Sequence, residues 1–71
     1  MNITPVQTKK ILTGNYSFSQ LGFSMLLTRL KSSYSKDSSE ATLLKCVSEV
    51  NAFLQKYSSI MENDFAIISK V

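Results

Sequence analysis

Apolar positions along the chain recur at helical rather than strand spacing. The segment the others must cover is Phe18–Tyr34, FSQLGFSMLLTRLKSSY. On a helical wheel Phe18, Leu21 and Met25 fall on one side, while Leu26, Leu30, Phe23, Tyr34 and Leu27 run around to the other. Gln20, Ser24, Thr28, Lys31 and Ser32 share one narrow polar strip. A helix apolar over most of its circumference requires neighbours on more than one side. Arg29 interrupts the apolar arc, where its stem packs and its guanidinium reaches water or a carboxylate. Ser17 followed by Gln20 fits a capping box, with Tyr16 and Leu21 placed as a hydrophobic staple, so the pattern predicts a helix over 17–34. Gly22 inside it costs up to about 1 kcal/mol relative to alanine, and its simplest reading is close approach of a second helix.

Thr4-Pro5 signals an earlier helix start, threonine as cap and proline in the first helical position. That helix covers about 5–13, with Val6, Ile11 and Leu12 as apolar contacts and Lys9-Lys10 outward. Gly14 ends it as a left-handed C′ residue. The polar run KSSYSKDSSE holds the second loop, near Ser35–Ser38. Beyond it Leu43, Val47, Val50, Leu54, Tyr57 and Met61 recur in steps of four and three, with Cys46, Phe53 and Ile60 as a second line. This predicts a third helix over 39–62, capped by Ser38 or Ser39 and roughly 35 Å long. Asn63-Asp64 is expected to end it, with Glu62 and Asp64 as a solvated helix end. The apolar tail 63–71 is expected to fold back as an extended segment or short final turn, because β-branched residues modestly disfavour helix, with a strand or hook docked on another subunit as the alternative.

The fold class that follows is all-α, one domain over 1–71. It is a small three-helix bundle: a short N-terminal helix, a central helix and a long antiparallel C-terminal helix, with an apolar C-terminal tail.

Composition narrows the chemistry. With 71 residues, one cysteine (Cys46) and no histidine, neither a disulfide framework nor the usual Cys/His zinc site is available. A core this small supplies about 3–5 kcal/mol, which long packed helices or oligomerisation would supplement. The formal charge of +3 is spread along the chain, a weak pointer to an acidic partner. The N-terminus does not read as a signal peptide. Leu21–Leu30 is too short and interrupted to span a bilayer, which takes about 20 residues. The default location is cytoplasmic.

No residue set matches a catalytic, metal or cofactor motif. Cys46 reads as a small buried hydrophobe, the acids are scattered, and Gly14 and Gly22 make no phosphate loop. The expected role is therefore non-catalytic: a small protein–protein interaction or self-associating protein, its partner itself or another protein. Phe53, Ile60, Phe65, Ile67 and Ile68 are the candidate interface. The alternative is a nucleic-acid-binding accessory protein using Lys9, Lys10, Arg29, Lys31 and Lys36. Helix, glycine, helix matches helix-turn-helix spacing in outline, but the second helix opens Phe18-Ser19-Gln20-Leu21-Gly22-Phe23, with only Ser19 and Gln20 suited to reading base edges. A membrane-surface helix would need a strongly basic face opposite the apolar one, which the pattern lacks.

Overall fold

The structure, a computed structural model, describes residues 2–71. It is all-α: α1 (Pro5–Thr13), α2 (Leu21–Lys36), α3 (Glu40–Tyr57), a 3-10 turn (Ser58–Ile60) and α4 (Glu62–Ile68). Gly22 of α2 faces Phe53 of α3, and Arg29 of α2 meets Glu49 of α3. Positions that advance along one helix retreat along the other, so the two are antiparallel, and α1 packs against both. The core joins Ile3, Ile11 and Leu12 to Phe23, Leu27, Leu30 and Tyr34, to Cys46, Val50 and Leu54, and to Met61 and Ile68. Fully burying one such aliphatic or aromatic side chain stabilises by about 1.5–3 kcal/mol.

The start of α1 is as the sequence predicts. Gln7 N donates to Thr4 Oγ1 at 3.1 Å, and Thr4 N donates to Gln7 Oε1 at 2.9 Å, with Pro5 in the first turn. The inward face differs slightly from expectation. Thr8 is buried beside Ile11 and Leu12, its hydroxyl donating to the Thr4 carbonyl at 2.9 Å, while Val6 is exposed. The helix stop also differs. Gly14 is extended, at φ −94° and ψ −179°, not left-handed. A Cβ there would collide with the Tyr16 ring and lie 2.6 Å from the Lys10 carbonyl oxygen. Glycine is required by close approach rather than by a positive φ.

Helix α2 begins at Leu21, three residues later than the Ser17 box implies. Gln20 is the cap, its own Oε1 accepting from Phe23 N at 2.6 Å. Ser17 is exposed and outside the helix. The covered face is Phe23, Leu27, Leu30 and Tyr34, with Leu26 partly buried. Leu21 and Met25 remain 73% and 64% exposed, so neighbours do not enclose the helix as its apolar content suggests.

The long third helix is divided. Unbroken to Glu62 it would run about 35 Å, beyond the 31 Å long axis of the molecule. Ser58 and Ser59, weak helix formers, sit instead in the 3-10 turn, flanked by Tyr57 (φ −121°, ψ 25°) and Met61 (φ −114°, ψ 23°). The tail is then helical rather than extended: α4 places Met61, Phe65 and Ile68 on one stripe, Met61 and Ile68 fully buried and Phe65 packed against the core.

Candidate functional site

Three polar arrangements hold the helices in place. The first centres on Asp64, which is 1% exposed rather than a solvated helix end. Its Oδ1 accepts from Ser19 N at 2.7 Å and Ser19 Oγ at 2.9 Å, and its Oδ2 accepts from Gln20 N at 2.9 Å. A carboxylate carried by α4 thus takes the amides leading into α2, where the helix dipole favours negative charge. The second is Asn51, whose Oδ1 accepts from Ile3 N at 2.7 Å and whose Nδ2 donates to the Ile3 carbonyl at 3.2 Å. The third closes the α2–α3 loop. Asp37 accepts from Ser39 N at 3.2 Å and from Thr42 Oγ1 at 2.7 Å. Those bonds, the Thr42 hydroxyl foremost, hold its carboxyl below the ordinary carboxylate range. Cys46 is buried, as expected, and burial pushes its thiol up. The Glu49 carboxylate adds to that rise and Arg29 partly offsets it.

The surface between α2 and α3 is arranged differently. An open hollow of about 350 Å³ is lined by Leu26, Glu49, Ala52, Phe53, Lys56 and Tyr57. Its aromatic wall belongs to a run of rings. Phe18 meets Phe23 edge-on at 5.1 Å, Phe23 meets Phe53 at 5.5 Å, and Phe53 meets Tyr57 at 4.6 Å. Gly22 faces Phe53, but a Cβ there would lie an ordinary 3.4 Å from Phe53 Cζ, and its tighter contact, 3.0 Å, is with the Gln20 side chain. The expected close helix approach is therefore not what requires glycine here. Arg29 Nη2 donates to Glu49 Oε1 at 2.7 Å across the groove, the carboxylate partner its position anticipated. Lys56 Nζ sits 5.5 Å from the Tyr57 ring centroid, within cation–π range. Met25, exposed, stands one helical turn from Arg29 on the same flank of α2, whereas exposed Leu21 lies roughly 140° round the helix from Leu26.

The residues singled out from the sequence are not gathered at one place. Phe53 is half-buried in the groove, Ile60 is exposed on the 3-10 turn, and Phe65 and Ile67 are half-buried on α4. Ile68 is fully buried and is core, so it offers no surface to a partner. Among the candidate nucleic-acid contacts Lys9, Lys10 and Lys36 are exposed, Lys31 is half-buried and Arg29 is paired with Glu49. Leu21, Leu26, Met25 and Ala52 were not among the expected interface positions. For Leu21, Met25 and Leu26 the signal was present in the wheel of α2, which carries more apolar surface than one core can cover; Ala52, on α3, gave none.

Among the described residues, no helix is long and apolar enough to cross a membrane. Compared with protein-family models, curated proteins and solved structures, the chain has no significant match.

Proposed function

We propose that this chain is a non-catalytic protein-interaction module whose contact surface is the α2–α3 groove, with Met25 at its edge. The observation that carries the reading is an open hollow walled by Leu26, Phe53 and Tyr57, with exposed Met25 one turn from the Arg29 that bridges the groove. Contiguous apolar surface of this kind marks interaction sites on small proteins. Methionine, flexible and polarisable, suits an adaptable contact. The ordered polar groups support the non-catalytic part of the reading. Asp64, Asn51 and Asp37 are each saturated by backbone or hydroxyl partners within the fold, and Cys46 is buried with a thiol held in its neutral form.

Photo-crosslinking amino acids placed singly at Ala52, Met25, Lys9 and Thr13 test this in the cell of origin. All four positions are exposed, and Lys9 and Thr13 lie on α1, which contributes no residue to the hollow. Adducts, with another protein or a second copy, are expected at Ala52 and Met25 and not at the other two. Equal labelling at all four, or none at Ala52 and Met25, overturns the reading.

A further inference from the structure

The charge around the groove says what kind of protein fits it. Lys45, Glu49, Ala52 and Lys56 follow one another at helical intervals along a single exposed stripe of α3. Ala52 is the low point of that stripe and forms part of the hollow. The only acid on the stripe, Glu49, is bonded to Arg29, and this is the one ion pair among the described residues. The Arg29–Glu49 charges cancel, so Lys56 leaves the rim positive, with Lys45 about two turns before Ala52 on the same stripe, where its charge also acts on Asp37. Lys56 is held near the groove by its position over Tyr57. A second copy would bring the same positive rim to this face, and the whole chain carries +3. Like charges brought together across an interface oppose that pairing.

The backbone narrows the partner further. The groove is formed by two helices whose amides and carbonyls bond within their own turns. With no strand edge beside the hollow to extend, recognition runs through side chains, as when an amphipathic helix lies in an apolar groove. We infer that the α2–α3 groove takes an acidic amphipathic helix of a different protein. Its apolar stripe lies over Leu26, Phe53 and Tyr57, against the flank formed by Met25, and its Asp and Glu residues meet Lys45 and Lys56. This inference rests on the groove being the contact surface.

The test is a displayed library of helical peptides about 16 residues long, comparable with α2 in length. Apolar residues are fixed at i, i+3, i+4 and i+7, and the flanking positions are randomised over Glu, Lys, Gln and Ser. The full chain is the bait and the Ala52→Gln variant is the counter-selection. Position 52 is exposed, so the variant retains the wild-type circular dichroism spectrum and melting curve while filling the hollow. Expected are binders enriched in Glu on both flanks, weakened at least tenfold by Ala52→Gln and by Lys56→Glu, and weakened by added salt. Binders that Ala52→Gln blocks but whose flanks are neutral or basic overturn the acidic partner and leave the groove as a docking surface. A concentration-dependent dimer in light scattering, abolished by Ala52→Gln, also overturns it by assigning the face to a second copy. No binder and no dimer overturns both this inference and the interaction reading beneath it.

Discussion

The Asp64 carboxylate accepts both the backbone amide and the hydroxyl of Ser19, a residue 45 positions earlier in the chain, at 2.7 and 2.9 Å. Together with the bond from Gln20 N, this gives α2 an anionic partner at its entrance that no nearby residue supplies. Removing the carboxylate takes the acceptor from three donors at a part-buried site. Hydrogen bonds to charged groups contribute about 1.5–3 kcal/mol each, so Asp64→Ala is expected to cost at least about 2 kcal/mol. For a domain of this size each kcal/mol moves Tm by about 4–8 °C, which puts the melting point at least about 8 °C lower. Asp64→Asn, which keeps one acceptor, should lie between the two. A thermal melt of Asp64→Ala within about 2 °C of wild type would show that water replaces the carboxylate without penalty.

Asn51 makes a comparable long-range clamp on the segment leading into α1. Both polar groups of the Ile3 backbone are engaged by one side chain, and Ile3 itself is buried. Asn51→Leu leaves that amide and carbonyl without partners, at an expected cost of about 1–3 kcal/mol. Amide exchange at Ile3 should accelerate more than exchange at Val50 on the inner face of α3. Equal acceleration at both would mean that the side chain supports the whole bundle rather than this segment.

Hydrogen bonds, first from Thr42 and then from Ser39, hold the Asp37 carboxyl below the ordinary aspartate range. A group whose folded pKa is depressed adds stability that is present above its unfolded pKa and is lost as pH falls through the folded value. The contribution is therefore constant near neutrality and fades in acid, as pH falls from the ordinary aspartate range through the lower folded value. Thr42→Val should raise the Asp37 pKa towards its ordinary value in a carbon-detected NMR titration. An unchanged midpoint would assign the shift to the Ser39 bonds instead.

The two glycines respond differently to a methyl group. At Gly14 the added carbon meets a backbone carbonyl and a ring, so Gly14→Ala is expected to cost more than about 1 kcal/mol. At Gly22 it meets Phe53 at an ordinary 3.4 Å and the mobile end of Gln20 at 3.0 Å. Alanine there regains up to about 1 kcal/mol of helix propensity against partial displacement of the Gln20 cap, so Gly22→Ala should fall within about 0.5 kcal/mol of wild type. Urea denaturation of both variants measures the contrast. A Gly14→Ala protein as stable as Gly22→Ala would remove the steric account of the first turn.

Local signals carried most of the architecture. The Thr4-Pro5 start, the span of α1, the antiparallel pairing and the burial of Cys46 are all written in short-range pattern. What the sequence hid depends on partners far along the chain. Ser17 has the right neighbour for a capping box, yet the helix starts at Leu21, where Gln20 supplies the cap and Asp64 the supporting anion. The tail looked extended because Ile67 and Ile68 are β-branched, a modest local preference that the stripe Met61–Phe65–Ile68 overrides by burial. That stripe has helical spacing and was legible in principle, with Asp64 on the same side. The groove was half legible. Phe53 stood out, whereas Met25 and Ala52 became distinct only when the folded chain left them uncovered.

The bond between α4 and the entrance to α2 also sets how disorder spreads through the molecule. Ends of helical proteins commonly fray on their own, at little cost to the remainder. Here, each opening of α4 withdraws the anion from Ser19 and Gln20, so the first turn of α2 loosens in the same event. The last helix and the middle one belong to a single cooperative unit although α3 lies between them in sequence. Protease cuts near Ser17–Gln20 should therefore rise and fall with the opening of α4 rather than with the exposure of the loop alone.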